Sequence, residues 1–566
     1  MPSEMDLSIE RHLEALTATG APFELASIER FGAELPLFAK APPSLAHYFE
    51  RYCTEHADSE FLVDGDIRLT FAETHAAARA FAGGLVEGHG VGRGERIGIA
   101  ARNSANWVIA YMAVLMAGGC ATLLNGWWTG EELADAIALA GCRMVLADPQ
   151  RAARLDGHEH GAQVLTFGHG SAPAEGLAAL AARGGGAATP LPELVPDDSA
   201  TILFTSGSTG RAKGVLSDHR GVVQSTLNFA TVVITLLGYM VERGEEPEPP
   251  CALVAVPLFH VTGEAPLLLL SYLLGRKLVM LPKWDPLEAM RLIETERITY
   301  FLGVPLMSHE ILTHPELERF DLTSCRTFGS GGAPRPVEHV REVPRRLAEA
   351  MPTIGYGLTE TNAAGCANLN ENYLAKPGST GPASGVLVEL AIFGEDGARL
   401  PQGETGEVAF RSICNFRGYW DDPEATRAAV RPDGFFLTGD LGWLDEDGYL
   451  FIVDRKKDII IRGGENISAS EVEHALYAHP DIAECAVFGI PDARLGEVPA
   501  AVWLAKPGRG LGEDDLREFL AERLAPFKIP AHFWREMAPL PRLGTEKVDK
   551  RALRVRYSAL SGAEQA

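Results

Sequence analysis

Residues 205–214 read Thr205-Ser206-Gly207-Ser208-Thr209-Gly210-Arg211-Ala212-Lys213-Gly214, directly after an apolar run that reads as a strand. Glycines let a backbone fold tightly and turn its N–H groups toward an anion. The Ser and Thr hydroxyls add donors, and Arg211 and Lys213 add positive charge. This is a design for holding a polyphosphate. It is not a Walker A loop, which needs G-x-x-x-x-G-K-[ST]. Counted from Gly207, Ala212 occupies the second glycine position and Gly214 the position of the magnesium-binding hydroxyl.

A second cluster is Gly355-Tyr356-Gly357-Leu358-Thr359-Glu360. Its glycines permit close backbone approach to a ligand, and Tyr356 offers a ring face for stacking. Thr359 can bond a phosphate oxygen. Glu360 is a hard oxygen ligand suited to magnesium. Gly331-Gly332-Ala333-Pro334 and Thr438-Gly439-Asp440 each read, alone, as turns after strands.

Taken together and in this order, these segments resemble the adenylate-forming (AMP-binding) superfamily, the fold of acyl-CoA synthetases, over roughly residues 40–555. The resemblance implies that Thr205, Ser206, Gly207, Ser208, Thr209, Gly210 and Lys213 hold the ATP phosphates. It lays Gly332, Ala333 and Pro334 against adenine, beside Gly355, Tyr356 and Gly357. It gives the ribose to Asp440 and Arg455, and magnesium to Glu360 next to Thr359. Lys547, in Leu540-Pro541-Arg542-Leu543-Gly544-Thr545-Glu546-Lys547, matches the family's catalytic lysine, although Glu546 stands where the family usually has glycine. Lys550 lies off that motif's spacing. An ammonium there would stabilise the charge that grows as a carboxylate attacks the α-phosphate.

Pro257-Leu258-Phe259-His260-Val261-Thr262-Gly263 resembles the segment lining the acyl pocket, with His260 as a gate or carboxylate neighbour. Val304 and Ala363-Ala364 extend that lining with small or apolar groups, suited to an aliphatic or aromatic tail. No aspartate for a substrate ammonium occurs in the segment, although Glu264 follows it. Gly463 and Gly464 match a loop that lines the pantetheine tunnel, and Lys457 matches the hinge. The implied activity is an ATP-dependent acid–CoA ligase that uses ATP, Mg2+ and coenzyme A on a small-molecule carboxylic acid, with domain alternation between its steps. No carrier segment follows Lys547, which favours a diffusible thiol. Two other readings stay open: an acyl-AMP ligase loading a separate carrier protein, and a non-catalytic nucleotide- or acyl-binding protein.

The elements that must position these residues are legible as alternation. Strand-like runs at 96–100, 120–124, 200–205, 253–257, 277–281, 300–304 and 326–330 are interleaved with helical patterns at 103–116 and 286–296. Such alternation predicts an α/β chain with parallel sheets, whose ligand sites gather at the carboxyl ends of the strands. Asp-Gly pairs at 396–397, 433–434 and 447–448 predict hairpin turns in a β-rich subdomain over about 385–450. The expected plan is a multi-subdomain N-terminal domain over 1–456 and a small, mobile α+β C-terminal domain over 457–566. Ser468-x-x-Glu471 predicts a capping box, and 157–190 and 241–250 read as surface loops.

At 566 residues, more than one core is expected. A net charge of −25 argues against nucleic-acid binding. Eight cysteines without a C-x-x-C pair predict reduced thiols in a cytoplasmic protein. The longest apolar run, 265–274, is about half a membrane span and reads as a buried helix, so no transmembrane segment is expected. A homo-oligomer is an open assembly state.

Overall fold

The computed structural model describes residues 2–564, apart from 182, 206–211, 493 and 543–547. Contacts divide the chain into two compact units. One comprises Met1–Pro334, Arg341–Leu390 and Phe410–Leu437; the other comprises Arg335–Val340, Ala391–Ala409 and Thr438–Ala566.

In the first unit the described residues form two large sheets. The eight-stranded sheet contains, side by side, Met351–Gly357, Thr327–Gly331, Tyr300–Gly303, Cys251–Val254, Lys277–Met280 and Glu60–Asp64. These pair in parallel, and Gly365–Leu369 and Ile67–Thr70 close the two edges antiparallel. The seven-stranded sheet runs Gly418–Tyr419, Lys213–Asp218, Ser199–Thr205, Cys120–Leu123, Arg96–Ala100, Met144–Ala147, Gln163–Thr166. Its last five strands are parallel. The α/β architecture expected from the alternation is therefore present. Helix Ala105–Met116 is buried along its whole length, as its all-round apolar sequence requires. Helix Pro286–Glu296 starts as its sequence dictates, with Asp285 capping and Pro286 in the first turn.

Several expectations change. Residues 157–190 are not all loop: Gln163–Thr166 adds an edge strand to Met144–Ala147, and short helices occupy Pro173–Gly176 and Ala178–Ala181. The 265–274 helix is buried, but it begins earlier: Val261–Gly263 runs directly into a π-helical stretch, Glu264–Leu269, continued by Leu270–Leu274. The 241–250 loop begins after a 24-residue helix, His219–Glu242. Among the described residues that helix alone is long and apolar enough to cross a membrane, and 61% of its apolar window is buried inside the protein. All eight cysteines are free and buried.

The hairpin-rich stretch is divided: Ala391–Ala409 and Thr438 onward belong to the second unit, and Phe410–Leu437, with Gly434, to the first. In the second unit, strands Ile482–Asp492 and Gly496–Ala505 pair antiparallel, and His532–Arg535 joins them in parallel. Period-two alternation sends Cys485 and Val487 to one core with Val472, Leu476, Leu516 and Leu520. It sends Ala486 and Phe488 to a second core with Leu540, Leu553 and Tyr557. Ser468 caps helix Ala469–Tyr477, but the reciprocal half of the capping box is replaced: the Glu471 carboxylate pairs with Lys528 at 2.7 Å. Gly397, Gly434 and Gly448 all take positive φ, as the Asp-Gly turns require.

Candidate functional site

Four of the singled-out segments follow neighbouring parallel strands and so emerge together at the carboxyl ends of the strands in the eight-stranded sheet. Phe259 and His260 follow Cys251–Val254, and Val304 follows Tyr300–Gly303. Gly332, Ala333 and Pro334 follow Thr327–Gly331, and Thr359 and Glu360 follow Met351–Gly357. Gly331 and Gly355 are register partners, and a Cβ on Gly331 would lie 3.8 Å from Thr262. The sheet thus brings the expected adenine loop, the Tyr356 motif and the His260 segment together.

The two glycines around Tyr356 separate. A Cβ on Gly355 would meet nothing within 4 Å, whereas one on Gly357 would lie 2.0 Å from the Ala363 carbonyl oxygen. Gly357 is required by the chain itself, and Gly355 keeps a backbone edge open.

Thr359 and Glu360 are buried in a single helical turn, Thr359–Thr361. The turn is fixed by Asn362, which takes a left-handed φ of 49°. The Asn362 side chain accepts from the Ser217 hydroxyl at 2.9 Å and donates to the Cys414 carbonyl at 2.8 Å. Its carbonyl accepts from Ser225 at 2.7 Å. The Tyr419 phenol donates to Glu360 Oε1 at 2.8 Å. Burial, then the Glu360 charge, pushes that phenol far above its usual range, so it remains a donor.

Thr205 and Lys213 face each other across an antiparallel pair of strands. Ser206, Gly207, Ser208, Thr209 and Gly210, between them, lie outside the described residues. Lys213 Nζ stands 4.7 Å from the centroid of the Tyr419 ring.

His260 caps the short helix Val261–Gly263, with Nδ1 accepting from the Thr262 N–H at 3.3 Å. Gly263 is needed there, since a Cβ would sit 2.2 Å from the Pro257 carbonyl oxygen. Val304 packs against the core of Phe301, Met307 and Phe328. Glu264 is fully buried, and its Oε1 accepts from the Tyr111 phenol at 2.7 Å.

Burial raises the Glu264 carboxyl from 4.5 to about 7. Between those values the folded chain holds a proton that the unfolded chain has lost, so stability falls as pH rises through that window. Glu264→Gln removes the titration. Its stability relative to the parent should improve by roughly 2–3 kcal/mol between pH 5 and pH 8, at about 1.4 kcal/mol per pK unit. Denaturant titrations at the two pH values check this; a pH-independent difference would mean the group titrates normally.

In the second unit, Asp440 and Arg455 are register partners, and Arg455 Nε lies 3.2 Å from Asp440 Oδ1. Asp440 is buried and Arg455 exposed, so the buried carboxylate is held by a guanidinium that reaches solvent. The Asp440 N–H donates to the Thr438 hydroxyl at 3.1 Å. Gly463 and Gly464 form a two-residue hairpin turn between Arg462 and Glu465, with φ of 59° and 92°. Positive φ at both positions is what such a turn demands. Lys457 is exposed. Lys547 and its neighbour Glu546 lie outside the described residues. Lys550 is paired with Glu473 at 2.7 Å.

Tyr419, Asn362 and Tyr111 were not among the residues singled out by sequence. Tyr419 and Glu360 are 59 residues apart, and no local spacing connects them.

The profile of the AMP-binding enzyme family matches residues 49–420, and that of the AMP-binding enzyme C-terminal domain matches 471–547. A feruloyl-CoA synthase of Amycolatopsis is 35% identical over 87% of this chain and 95% of its own. A long-chain-fatty-acid–CoA ligase of Mycobacterium tuberculosis is 31% identical over 87% of this chain and 94% of its own. The crystal structure of ATP-bound MatB from Rhodopseudomonas palustris is 31% identical, with a TM-score of 0.80 over 91% of this chain and 99% of that one.

Proposed function

The chain belongs to the AMP-binding enzymes, and from that premise we propose that it is an ATP-dependent acid–CoA ligase acting on a fatty or aromatic carboxylic acid. The carboxylate oxygen attacks the α-phosphorus of ATP, the bond to pyrophosphate breaks, and an acyl-adenylate remains. The thiol of CoA, losing its proton, then attacks the acyl carbon, and AMP leaves. The observation that carries this reading is the line Lys213–Tyr419–Glu360. It sets an ammonium over the face of one ring and a buried carboxylate on that ring's hydroxyl, an arrangement that suits an ATP phosphate chain with its metal.

Glu360 and Thr359 fit magnesium chemically. Both offer hard oxygen, and among the described residues no cluster of three or more acidic, His or Cys side chains competes as a metal cage. A single carboxylate that shares the ion with substrate phosphates and water is the usual magnesium arrangement. Magnesium, when bound, supplies charge neutralisation on the phosphates. Thr205, Ser206, Gly207, Ser208, Thr209, Gly210 and Lys213 bind those phosphates. Gly332, Ala333, Pro334 and the Gly355-Tyr356 edge receive adenine, and Asp440 with Arg455 holds the ribose hydroxyls. Lys547 stabilises the charge developing as pyrophosphate departs.

Phe259, His260 and Val304 border the acyl group. An amino-acid substrate is disfavoured because Glu264, the carboxylate beside this segment, is already engaged by Tyr111 in the core. A feruloyl ligase and a fatty-acid ligase among the relatives keep both aromatic and aliphatic acids in view. The residues from 457 onward act as a mobile domain that turns about Lys457 between the two half-reactions and brings Gly463 and Gly464 to the thiol arm. ATP, CoA and eight buried, free thiols suit a cytoplasmic enzyme.

A panel of aromatic and aliphatic acids with ATP, magnesium and CoA, read by mass spectrometry for thioesters, tests the reading. At least one acid should give its CoA thioester with AMP. Acid-dependent pyrophosphate exchange without any thioester would instead favour a carrier-protein acceptor.

A further inference from the structure

Tyr419 touches two groups of the proposed site and is used by neither half-reaction. It is held from several sides. Strand Gly418–Tyr419 pairs with Lys213–Asp218, with Tyr419 opposite Val215. The Trp420 N–H donates to the Gly214 carbonyl at 2.7 Å, and the Arg417 N–H to the Leu216 carbonyl at 2.8 Å. These bonds fix its Cα close to Lys213. The ring meets Phe416 edge-on at 5.1 Å, and the Tyr419 N–H donates to the Thr426 hydroxyl at 2.9 Å. From that fixed base the ring presents its face to Lys213 Nζ at 4.7 Å, and the phenol donates to Glu360 Oε1 at 2.8 Å. The backbone of Glu360 is tied to the same stretch, because the Phe416 N–H donates to the Glu360 main-chain carbonyl at 2.8 Å.

We propose that Tyr419 is a positioning residue that couples the lysine at the end of the phosphate hairpin to the carboxylate that receives the divalent cation, so that nucleotide phosphate and metal are bound as one unit. The proposal rests on the reading of Glu360 as the metal carboxylate. Two physical roles sit on one side chain. The hydroxyl orients one carboxylate oxygen through a charge-assisted bond. The ring face attracts the ammonium. A rigid aromatic with two torsions holds both partners at little entropic cost.

The two roles separate by substitution. Tyr419→Phe keeps the ring and deletes the hydroxyl; Tyr419→Leu deletes both. Manganese stands in for magnesium in electron paramagnetic resonance titrations with α,β-methylene-ATP, and metal-free nucleotide affinity is measured by calorimetry in EDTA. Tyr419→Phe should weaken manganese binding about tenfold, the range for losing one hydrogen bond to a charged group. It should leave metal-free nucleotide affinity and the thermal midpoint near the parent's. Tyr419→Leu should weaken both affinities. Parent-like manganese affinity in Tyr419→Phe overturns the proposal. So does a uniform loss in which manganese affinity, metal-free affinity and thermal midpoint fall together, since that marks packing alone. Glu360→Gln is measured beside them. If it leaves manganese binding unchanged, the metal reading of Glu360 fails; if it weakens binding while Tyr419→Phe does not, only the role of Tyr419 fails.

Discussion

Lys547→Ala slows acid-dependent pyrophosphate exchange by about 10²–10³-fold, the usual cost of removing one group that stabilises transition-state charge. The same variant converts supplied acyl-adenylate and CoA to thioester at close to the parent rate. The asymmetry follows from the chemistry of the two steps. In the first, negative charge accumulates on the α-phosphate and on the departing pyrophosphate, and an ammonium is worth most there. In the second, AMP leaves and a neutral thioester forms, and the proposed domain rotation has carried the lysine away. Equal loss in both half-reactions would contradict the two-pose account. Lys550→Ala is the control. Its ammonium is committed to Glu473 at 2.7 Å, so its removal should lower stability by roughly 1–3 kcal/mol through an unpaired, partly buried carboxylate. Exchange activity should persist below the melting transition. If Lys550→Ala were inactive and Lys547→Ala active, the assignment of the catalytic lysine would be wrong.

Gly357→Ala and Gly355→Ala should differ in kind. At Gly357 the added carbon falls 2.0 Å from the Ala363 carbonyl oxygen, a backbone atom that no rotamer change can move. Ala363 already has a φ of 66° and follows Asn362 at 49°, so that turn has little freedom to yield. The cost should be about 3 kcal/mol of stability, the upper end for overpacking a tight site. Because the same turn presents Thr359 and Glu360, activity should fall more than tenfold even where the variant is folded. At Gly355 the added carbon meets open space. Gly355→Ala should keep the parent's denaturation midpoint and raise the KM for ATP, because a methyl then stands where the nucleotide's backbone contact is expected. Denaturant unfolding with ATP-dependent kinetics checks both. Equal destabilisation of the two variants would contradict the packing described here.

That contrast also shows how far the sequence can be read. The two glycines look alike in Gly355-Tyr356-Gly357, and both suggested ligand approach; only the path of residues 363–365 back along the strand reveals which one serves the chain. Strands such as Arg96–Ala100 and helix Pro286–Glu296 were legible because apolar runs, a capping Asp285 and a following proline mark them locally. Helix His219–Glu242 was not, because Gln224, Ser225, Thr226, Asn228 and Thr231 break its apolar period. Three of them are answered by distant segments, as Gln224 bonds Phe38, Ser225 bonds Asn362 and Asn228 bonds Ser384, while Thr226 and Thr231 bond carbonyls of their own helix. The same holds for Tyr419, whose partners come from other stretches of chain. Gly463 and Gly464 show the converse. Their sequence was read as room for a thiol arm, and their positive φ angles are also explained by the hairpin they close.

The acyl-adenylate itself is the central claim, and oxygen transfer tests it most directly. A carboxylic acid substrate labelled with 18O in its carboxylate is incubated with ATP, magnesium and CoA, and the products are weighed by mass spectrometry. Attack on the α-phosphorus, followed by thiol attack on the acyl carbon, leaves one 18O atom in the phosphate of AMP for each thioester formed. Label in orthophosphate or pyrophosphate, with AMP unlabelled, would place the attack at another phosphorus and contradict the account.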